Sequence, residues 1–241
     1  LHDALEAKSL NCWPSAEHDA SAVLDSVSRF LPAGFYYKTF MWPASFWERL
    51  YEPLIRRAAG LGRASALPDP DHYEKTNAFC DVLVIGGGPA GLMAALSAGR
   101  TGARVIVCEM DTLLGGRLLS ERTIVGDRAG SAWARMIADE LATMPEVRVL
   151  TRTAVTGVYD GGAYVAVERV SDHRPEPLPF EPRQRLWRIR AKRAVLCAGA
   201  LERPVLFPDN DRPGIMLSGA VRSYVNRYSV TPGKRAVIVG S

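Results

Sequence analysis

The chain has 241 residues, 47% of them hydrophobic and 23% charged, with a formal net charge of +4. That is an ordinary globular composition, long enough for one large or two modest domains. The 30 Lys and Arg residues are scattered rather than gathered in a block, no apolar run reaches membrane-spanning length and no signal-peptide pattern opens the chain. Neither a nucleic acid nor a membrane is therefore expected as a partner.

Residues 1–30 are polar at first and then carry a weakly amphipathic helical pattern over 21–30. The stretch 31–53, LPAGFYYKTFMWPASFWERLYEP, holds Phe35, Tyr36, Tyr37, Phe40, Trp42, Phe46, Trp47 and Tyr51, more than a third of its residues against 8% for the chain. Such an arm needs a covering surface, either the domain that follows or a partner subunit. Residues 54–60 read as a short helix ended by Gly60 or Gly62, and PDPD at 68–71 as a linker. The domain boundary is set near Glu74, dividing an arm and linker over 1–74 from a nucleotide-binding domain over 75–241.

The densest signal is 81–109, DVLVIGGGPAGLMAALSAGRTGARVIVCE. An apolar run over 82–85 is short enough for a buried parallel strand. Gly86, Gly88 and Gly91 then form G-x-G-x-x-G, a helix follows over 89–100, Gly102 closes it, and a second strand over 104–108 ends on Glu109. Each glycine has a job at a dinucleotide. Gly86 turns the chain out of the strand, Gly88 lets the pyrophosphate approach the backbone, and Gly91 lets the helix pack on the sheet. The helix N-terminus, at Pro89 and Ala90, offers amides and a partial positive charge. Glu109 stands 18 residues beyond Gly91, where an acid binds a ribose hydroxyl. A carboxylate there repels a 2′-phosphate, which favours NAD or FAD over NADP.

Past Glu109, Gly115 and Gly116 allow a second close approach to the nucleotide, with Arg117 placed to reach a phosphate. Residues 128–144 carry a helical pattern with Trp133, Ile137 and Leu141 on one face, and 147–150 a third strand. Runs over 153–159, 163–170 and 185–191, with Asp160-Gly161-Gly162 as a hairpin turn and a Pro-rich loop over 174–182, read as an antiparallel meander set into a parallel sheet. A further buried strand over 194–197 ends in Ala198-Gly199-Ala200. The last segment, 234–241, reads KRAVIVGS, a new buried strand turning on a glycine. With Leu rather than Met as first residue, the expectation is a piece of a longer polypeptide.

Cys12, Cys80, Cys108 and Cys197 form neither C-x-x-C nor a zinc pattern, which points to a reducing, cytoplasmic setting and excludes a dithiol reaction and a metal site. Cys108 and Cys197 are expected in the core. His2, His18, His72 and His173 all lie outside the glycine motifs, so no catalytic residue is assigned.

The strand–helix–strand unit, the meander and the small-residue turn CAGA resemble the two-dinucleotide-domain flavoprotein type of Rossmann-like α/β fold. In that type the turn containing Gly199 comes near the cofactor. Longer words narrow the resemblance. LPAGFYYKTFMWP (31–43), AGALERPVLFPDNDRPGIM (198–216) and AVRSYVNRY (220–228) are similar to the α subunits of bacterial heterotetrameric sarcosine oxidases, over almost the whole chain. The resemblance implies a complex with β, γ and δ subunits that oxidises sarcosine to glycine. Oxygen becomes hydrogen peroxide, and the methyl carbon leaves as formaldehyde or passes to tetrahydrofolate. It implies NAD in this chain, and FAD and covalent FMN associated with the β subunit. The NAD would be lined by Gly86, Gly88, Pro89, Ala90, Gly91, Glu109, Met110, Gly115, Gly116 and Arg117, with Val155 flanking the adenine. Two alternatives stay open beside what the resemblance implies. One is an FAD- or NAD-dependent opine, proline or dimethylglycine dehydrogenase subunit that carries electrons itself. The other is an interaction subunit with a structural nucleotide.

Overall fold

The computed structural model describes residues 10, 12–15, 17–23, 26, 34, 40–62, 66–208, 210 and 212–239. Contacts divide the chain into two compact units, with the break between Pro70 and Asp71.

In the first unit, Asp19 caps a 3-10 turn at Ala20–Ala22, its Oδ1 accepting from the amides of Trp13 and Ser21 at 2.9 Å each. Most of the helix expected over 21–30 lies outside the described residues, as do Phe35, Tyr36 and Tyr37. Helical turns at Ala44–Phe46 and Trp47–Tyr51 run into helix α1 (Glu52–Ala58). Gly60, at φ +66°, closes it and the Leu61 amide returns to the Arg56 carbonyl, the left-handed ending that glycine permits. Tyr51 organises the described part of the aromatic arm. Its ring lies 5.1 Å from Phe40 and 6.2 Å from Phe46, and its hydroxyl donates to the Trp42 carbonyl at 3.1 Å. Trp42 itself is 85% exposed.

The second unit is built on one six-stranded sheet. Strands β1 (Tyr73–Ile85), β2 (Val105–Cys108), β5 (Val147–Leu150), β6 (Thr153–Tyr159), β7 (Ala163–Glu168) and β8 (Gln184–Leu196) lie in the order β5-β2-β1-β8-β7-β6. A separate two-stranded ribbon joins β3 (Ile124–Val125) to β4 (Arg128–Ala129). β5, β2, β1 and β8 are parallel, while β6, β7 and β8 are antiparallel. β2, at Val105–Cys108, is wholly apolar and buried because both its faces are covered. On one face, helices α2 (Pro89–Arg100) and α3 (Gly130–Ala142) bury Leu92, Ala95, Leu96, Ala134, Ile137 and Leu141 against Val84, Val105 and Val107. On the other, Leu83, Ile106 and Cys108 pack with Ala166, Trp187 and Ile189 of the meander. Fully buried side chains such as Leu83, Leu92 and Leu141 each contribute about 1.5–3 kcal/mol. β8 shows the strand period plainly: Trp187, Ile189 and Ala191 are buried, Arg188, Arg190 and Lys192 exposed.

The Rossmann-like α/β sheet with its meander is thus the observed fold, with four local corrections. The strand expected over 82–85 is the end of a 13-residue strand. It is lengthened because β1 pairs with β8 all along, whereas β2 joins only at Val82–Ile85. For the same reason the runs at 185–191 and 194–197 are one strand, which stops at Leu196. Its final part is not buried, with Leu196 76% exposed, because β7 stops pairing at Arg190. The helix expected over 128–144 starts at Gly130, since Arg128 and Ala129 pair as a strand. Residues 234–239 form no strand, and Val237 and Ile238 are more than 90% exposed. A strand is a pairing state, and the described residues offer these none. Gly240 and Ser241 lie outside the described residues.

Candidate functional site

β1 ends at Ile85 and the chain turns at Gly86, whose φ of +102° suits glycine alone. A methyl there would lie 2.4 Å from the Cys197 carbonyl oxygen at the end of β8, and one on Gly91 would lie 1.9 Å from the carbonyl oxygen of Gly86. Both glycines are thus required by close packing of loop, helix and strand. Gly88 differs: a Cβ there meets nothing within 4 Å. Its missing side chain leaves open space over the loop at the N-terminus of α2. The first amides of that helix have no acceptor within it and carry its positive dipole end. Packing at Gly86 and Gly91 with clearance at Gly88 is the arrangement a pyrophosphate needs.

Glu109 follows β2 and returns to the same loop. Its Oε2 accepts from the Gly87 amide at 2.6 Å and its Oε1 from the Asp111 amide at 2.7 Å. A carboxylate accepts about four hydrogen bonds, so two backbone donors leave acceptor capacity for a vicinal diol. Gly115 and Gly116 close the far side. The Gly115 amide donates to the Gly87 carbonyl at 2.8 Å, and a Cβ on Gly116 would approach the Gly88 Cα to 3.0 Å. These residues fit the phosphate, ribose and backbone contacts of a dinucleotide.

Gly86, Gly88, Gly91, Glu109, Gly115 and Gly116 therefore come together, with Pro89 and Ala90 exposed in the first turn of α2. Gly199, at φ +73°, lies two residues beyond the Cys197 carbonyl that abuts Gly86. Met110 is 65% exposed, and its carbonyl accepts from Arg169 Nη2 at 2.9 Å. Val155 is half-buried and packs against the core shared with Ala166 and Trp187. Arg117 lies on Glu121, with Nη2 2.8 Å from Oε1, so its guanidinium is already engaged.

Several residues here gave no sequence signal. Gly87 is buried and supplies the amide that holds Glu109; its only mark was a third consecutive glycine. Asp111 forms a two-pronged ion pair with Arg227, at 2.5 and 2.9 Å. That pair holds the Asp111 carboxyl down at about 2. Beyond Gly199, Glu202 accepts from the Gly219 amide and the Ser218 hydroxyl, each at 2.8 Å, at the start of α4 (Ser218–Arg222). Those bonds depress its carboxyl. Arg117, Glu121, Glu202 and Arg222 line a hollow of about 410 Å³. Among the described residues no group of three or more His, Cys, Asp and Glu could hold a metal, and no helix is long and apolar enough to cross a membrane.

Residues 80–241 match the family model described as pyridine nucleotide-disulphide oxidoreductase. The chain is 56% identical over 238 residues to sarcosine oxidase subunit alpha of Rhizobium meliloti (strain 1021), covering 99% of this chain and 24% of that protein. It is 44% identical to sarcosine oxidase subunit alpha of Corynebacterium sp. (strain P-1), covering 74% of this chain and 19% of that one. The chain thus spans about a quarter or less of the length of these curated relatives. Among solved structures, L-proline dehydrogenase from P. horikoshii superposes with a TM-score of 0.54 at 24% identity, over 71% of this chain and 32% of its own. That likeness is one of fold.

Proposed function

The chain belongs to the pyridine nucleotide-disulphide oxidoreductase family, whose fold binds FAD or NAD(P), and we propose that it is the NAD-holding part of a sarcosine oxidase α subunit. The observation that carries this reading is the 56% identity running through 99% of the chain, with an intact glycine loop and ribose carboxylate inside it. The complex would take sarcosine, oxygen and water to glycine, formaldehyde and hydrogen peroxide, or pass the methyl carbon to tetrahydrofolate. That chemistry belongs to FAD and FMN held with a β subunit, beside γ and δ subunits.

A nicotinamide dinucleotide supplies hydride chemistry when bound. This chain's own residues bind and orient it. Gly88 and the first turn of α2 take the pyrophosphate, Gly115 and Gly116 keep the approach clear, and Glu109 accepts from the ribose hydroxyls. The Glu109 charge disfavours a 2′-phosphate. All four cysteines are free and none forms C-x-x-C, so a dithiol reaction has no support here despite the family's name.

The test is cofactor release from the full-length complex. Heat and mass analysis are expected to yield one NAD and one FAD per complex, FMN staying with the protein, and Glu109→Ala should lose the NAD alone. Two FAD and no NAD would support the second reading, an amine dehydrogenase subunit that carries electrons itself. It is favoured by the fold likeness to a proline dehydrogenase only at the level of architecture. A dinucleotide content unchanged by Glu109→Ala would remove this chain as the binding site.

A further inference from the structure

We propose that Arg227 is a positioning residue for the dinucleotide site, acting through Asp111 to fix the carboxylate of Glu109. The inference rests on Glu109 being the ribose ligand and names what sets its geometry. Arg227 and Glu109 are 118 positions apart in the sequence, but a chain of short contacts joins them. Arg227 grips Asp111 with both Nη atoms, at 2.5 and 2.9 Å. The Asp111 amide donates to Glu109 Oε1 at 2.7 Å, and the other carboxylate oxygen takes the Gly87 amide from the glycine loop. Asp111 is thus the node between Arg227 and the ribose carboxylate. Its own carbonyl accepts from the Arg152 amide at 2.9 Å, which pins the backbone as well.

Arg227 also removes a conflict. Asp111 and Glu109 are like charges two residues apart, and both carboxylates sit on one short loop. Arg227 places a cation on Asp111, whose amide orients Glu109. The geometry is the strong form of the contact. Arg and Asp meet as fork and carboxylate, and both side chains are largely shielded, at 18% and 33% exposure. Exposed ion pairs contribute little, but a shielded bidentate pair defines position.

Arg227 is held in place in turn. It closes the helical turn Ser223–Arg227, which continues α4. Asn226 Nδ2 donates to the Ser120 carbonyl at 2.8 Å, and the Ser223 hydroxyl meets Ser120 Oγ at 3.0 Å. Arg222 spans Glu121 at 3.3 Å and Glu202 at 3.4 Å. One segment, 218–228, therefore clasps the loop after β2 at two places and the loop after β8 at a third. Arg227 is the finger of that clasp that reaches Asp111, whose amide holds the Glu109 carboxylate.

The test is NAD affinity measured by calorimetric titration of the full-length complex stripped of its dinucleotide. Glu109→Ala is expected to weaken binding roughly 30-fold and Arg227→Ala about tenfold, the scale of charge-assisted bonds. The decisive variant is the double mutant. If Arg227 acts through Glu109, Arg227→Ala adds less than about twofold once Glu109 is gone, a coupling that independent damage does not produce. Arg227→Lys, which keeps the charge without the fork, should fall between, at about threefold. If Arg227→Ala does not assemble, the same cycle is run with Arg227→Lys, whose loss must likewise vanish without Glu109. Multiplying losses in the double mutant, or wild-type affinity in Arg227→Ala, overturns the proposal. Wild-type affinity in Glu109→Ala instead overturns the site reading beneath it.

Discussion

Two carboxylates stand at opposite ends of β2, and their partners differ in kind. Asp81, beside the start of β2, takes the Arg104 amide and Nε at 3.0 Å each, Arg104 Nη2 at 2.9 Å and Lys192 Nζ at 2.8 Å. Arg104 in turn lies 4.5 Å over the Phe79 ring. Asp81 is saturated by two cations, and the Arg104 hydrogen bond above all holds it well below the usual carboxylate range. Glu109, just past β2, takes two backbone amides and, among the described residues, no ion pair. It keeps spare lone pairs. The larger hollow, about 580 Å³, lies at the Asp81 end, and the smaller at the Glu109 end. The larger one is lined by Arg104, Glu146 and Arg148 with no glycine loop. Volume therefore does not pick the site. Unspent acceptor capacity beside a clear backbone does.

The largest effect should come from the loop itself. Gly86→Ala combines a positive φ with a 2.4 Å clash on backbone, and Gly91→Ala meets backbone at 1.9 Å. Each is expected to cost about 3 kcal/mol in urea unfolding and to abolish dinucleotide retention. Gly102→Ala, at φ +78° with nothing near the new methyl, should cost only about 1 kcal/mol and retain the ligand. Equal losses at Gly91 and Gly102 would break the claim that close approach, rather than chain flexibility, is what the motif supplies.

Next in size, and sharpest for the comparison, are the two carboxylates exchanged for amides. Glu109→Gln should weaken dinucleotide binding by at least tenfold, since a neutral amide gives up the charge-assisted bonds to the ribose. The unfolding midpoint should fall as well, because the Gly87 or the Asp111 amide then faces an NH2 group instead of an acceptor. Asp81→Asn should lower the midpoint while leaving affinity intact. A variant at Asp81 that bound the dinucleotide poorly with its midpoint intact would erase the division of labour between the two ends.

Much of this was open to sequence reading and some was not. The run 82–85, the three glycines and Glu109 are local, so spacing alone placed them, and α2 falls at Pro89–Arg100 as its pattern predicts. The unity of β8 was hidden because Lys192 and Arg193 interrupt the apolar alternation. The structure places them where β8 leaves the meander but continues beside β1. Arg117 looked free to meet a phosphate because nothing local marks its ion pair with Glu121. Asp111–Arg227 and Asp81–Lys192 pair residues more than a hundred positions apart. Nothing in residue type or spacing marks such a pair until the fold has closed.

Acid sets a smaller but directional test. Asp81 and Asp111 both have folded carboxyls below the ordinary 3.8, Asp111 reaching about 2. Each prefers to ionise in the folded state, so its stabilisation is fully present above about pH 4 and fades as pH falls through the folded value. Unfolding midpoints should therefore hold near pH 5 and drop below pH 4. Arg227→Ala, which frees Asp111 to protonate normally, should flatten the drop between pH 4 and pH 2. An unchanged slope in that variant would mean that Arg227 does not control Asp111.

The mildest test leaves affinity and fold untouched and asks which thiols the two ends shield. Cys80 and Cys108 are buried in the core beneath the meander, at 0% and 2% exposure, and burial pushes their thiols up to about 11 and about 12. A raised folded value means the neutral thiol is preferred, so both should resist iodoacetamide at pH 8. Their contribution to stability should begin to fade only above about pH 9, the ordinary thiol value, as pH rises toward the folded ones. Cys197 is half-buried beside Gly86, at the end where a dinucleotide would lie. Alkylation followed by peptide mapping should mark Cys197 ahead of Cys80 and Cys108, and added NAD should slow it there alone. Protection of all three by NAD would mean that ligand tightens the whole sheet. Protection of Cys197 alone confines the effect to the loop where Glu109 and Gly88 leave room.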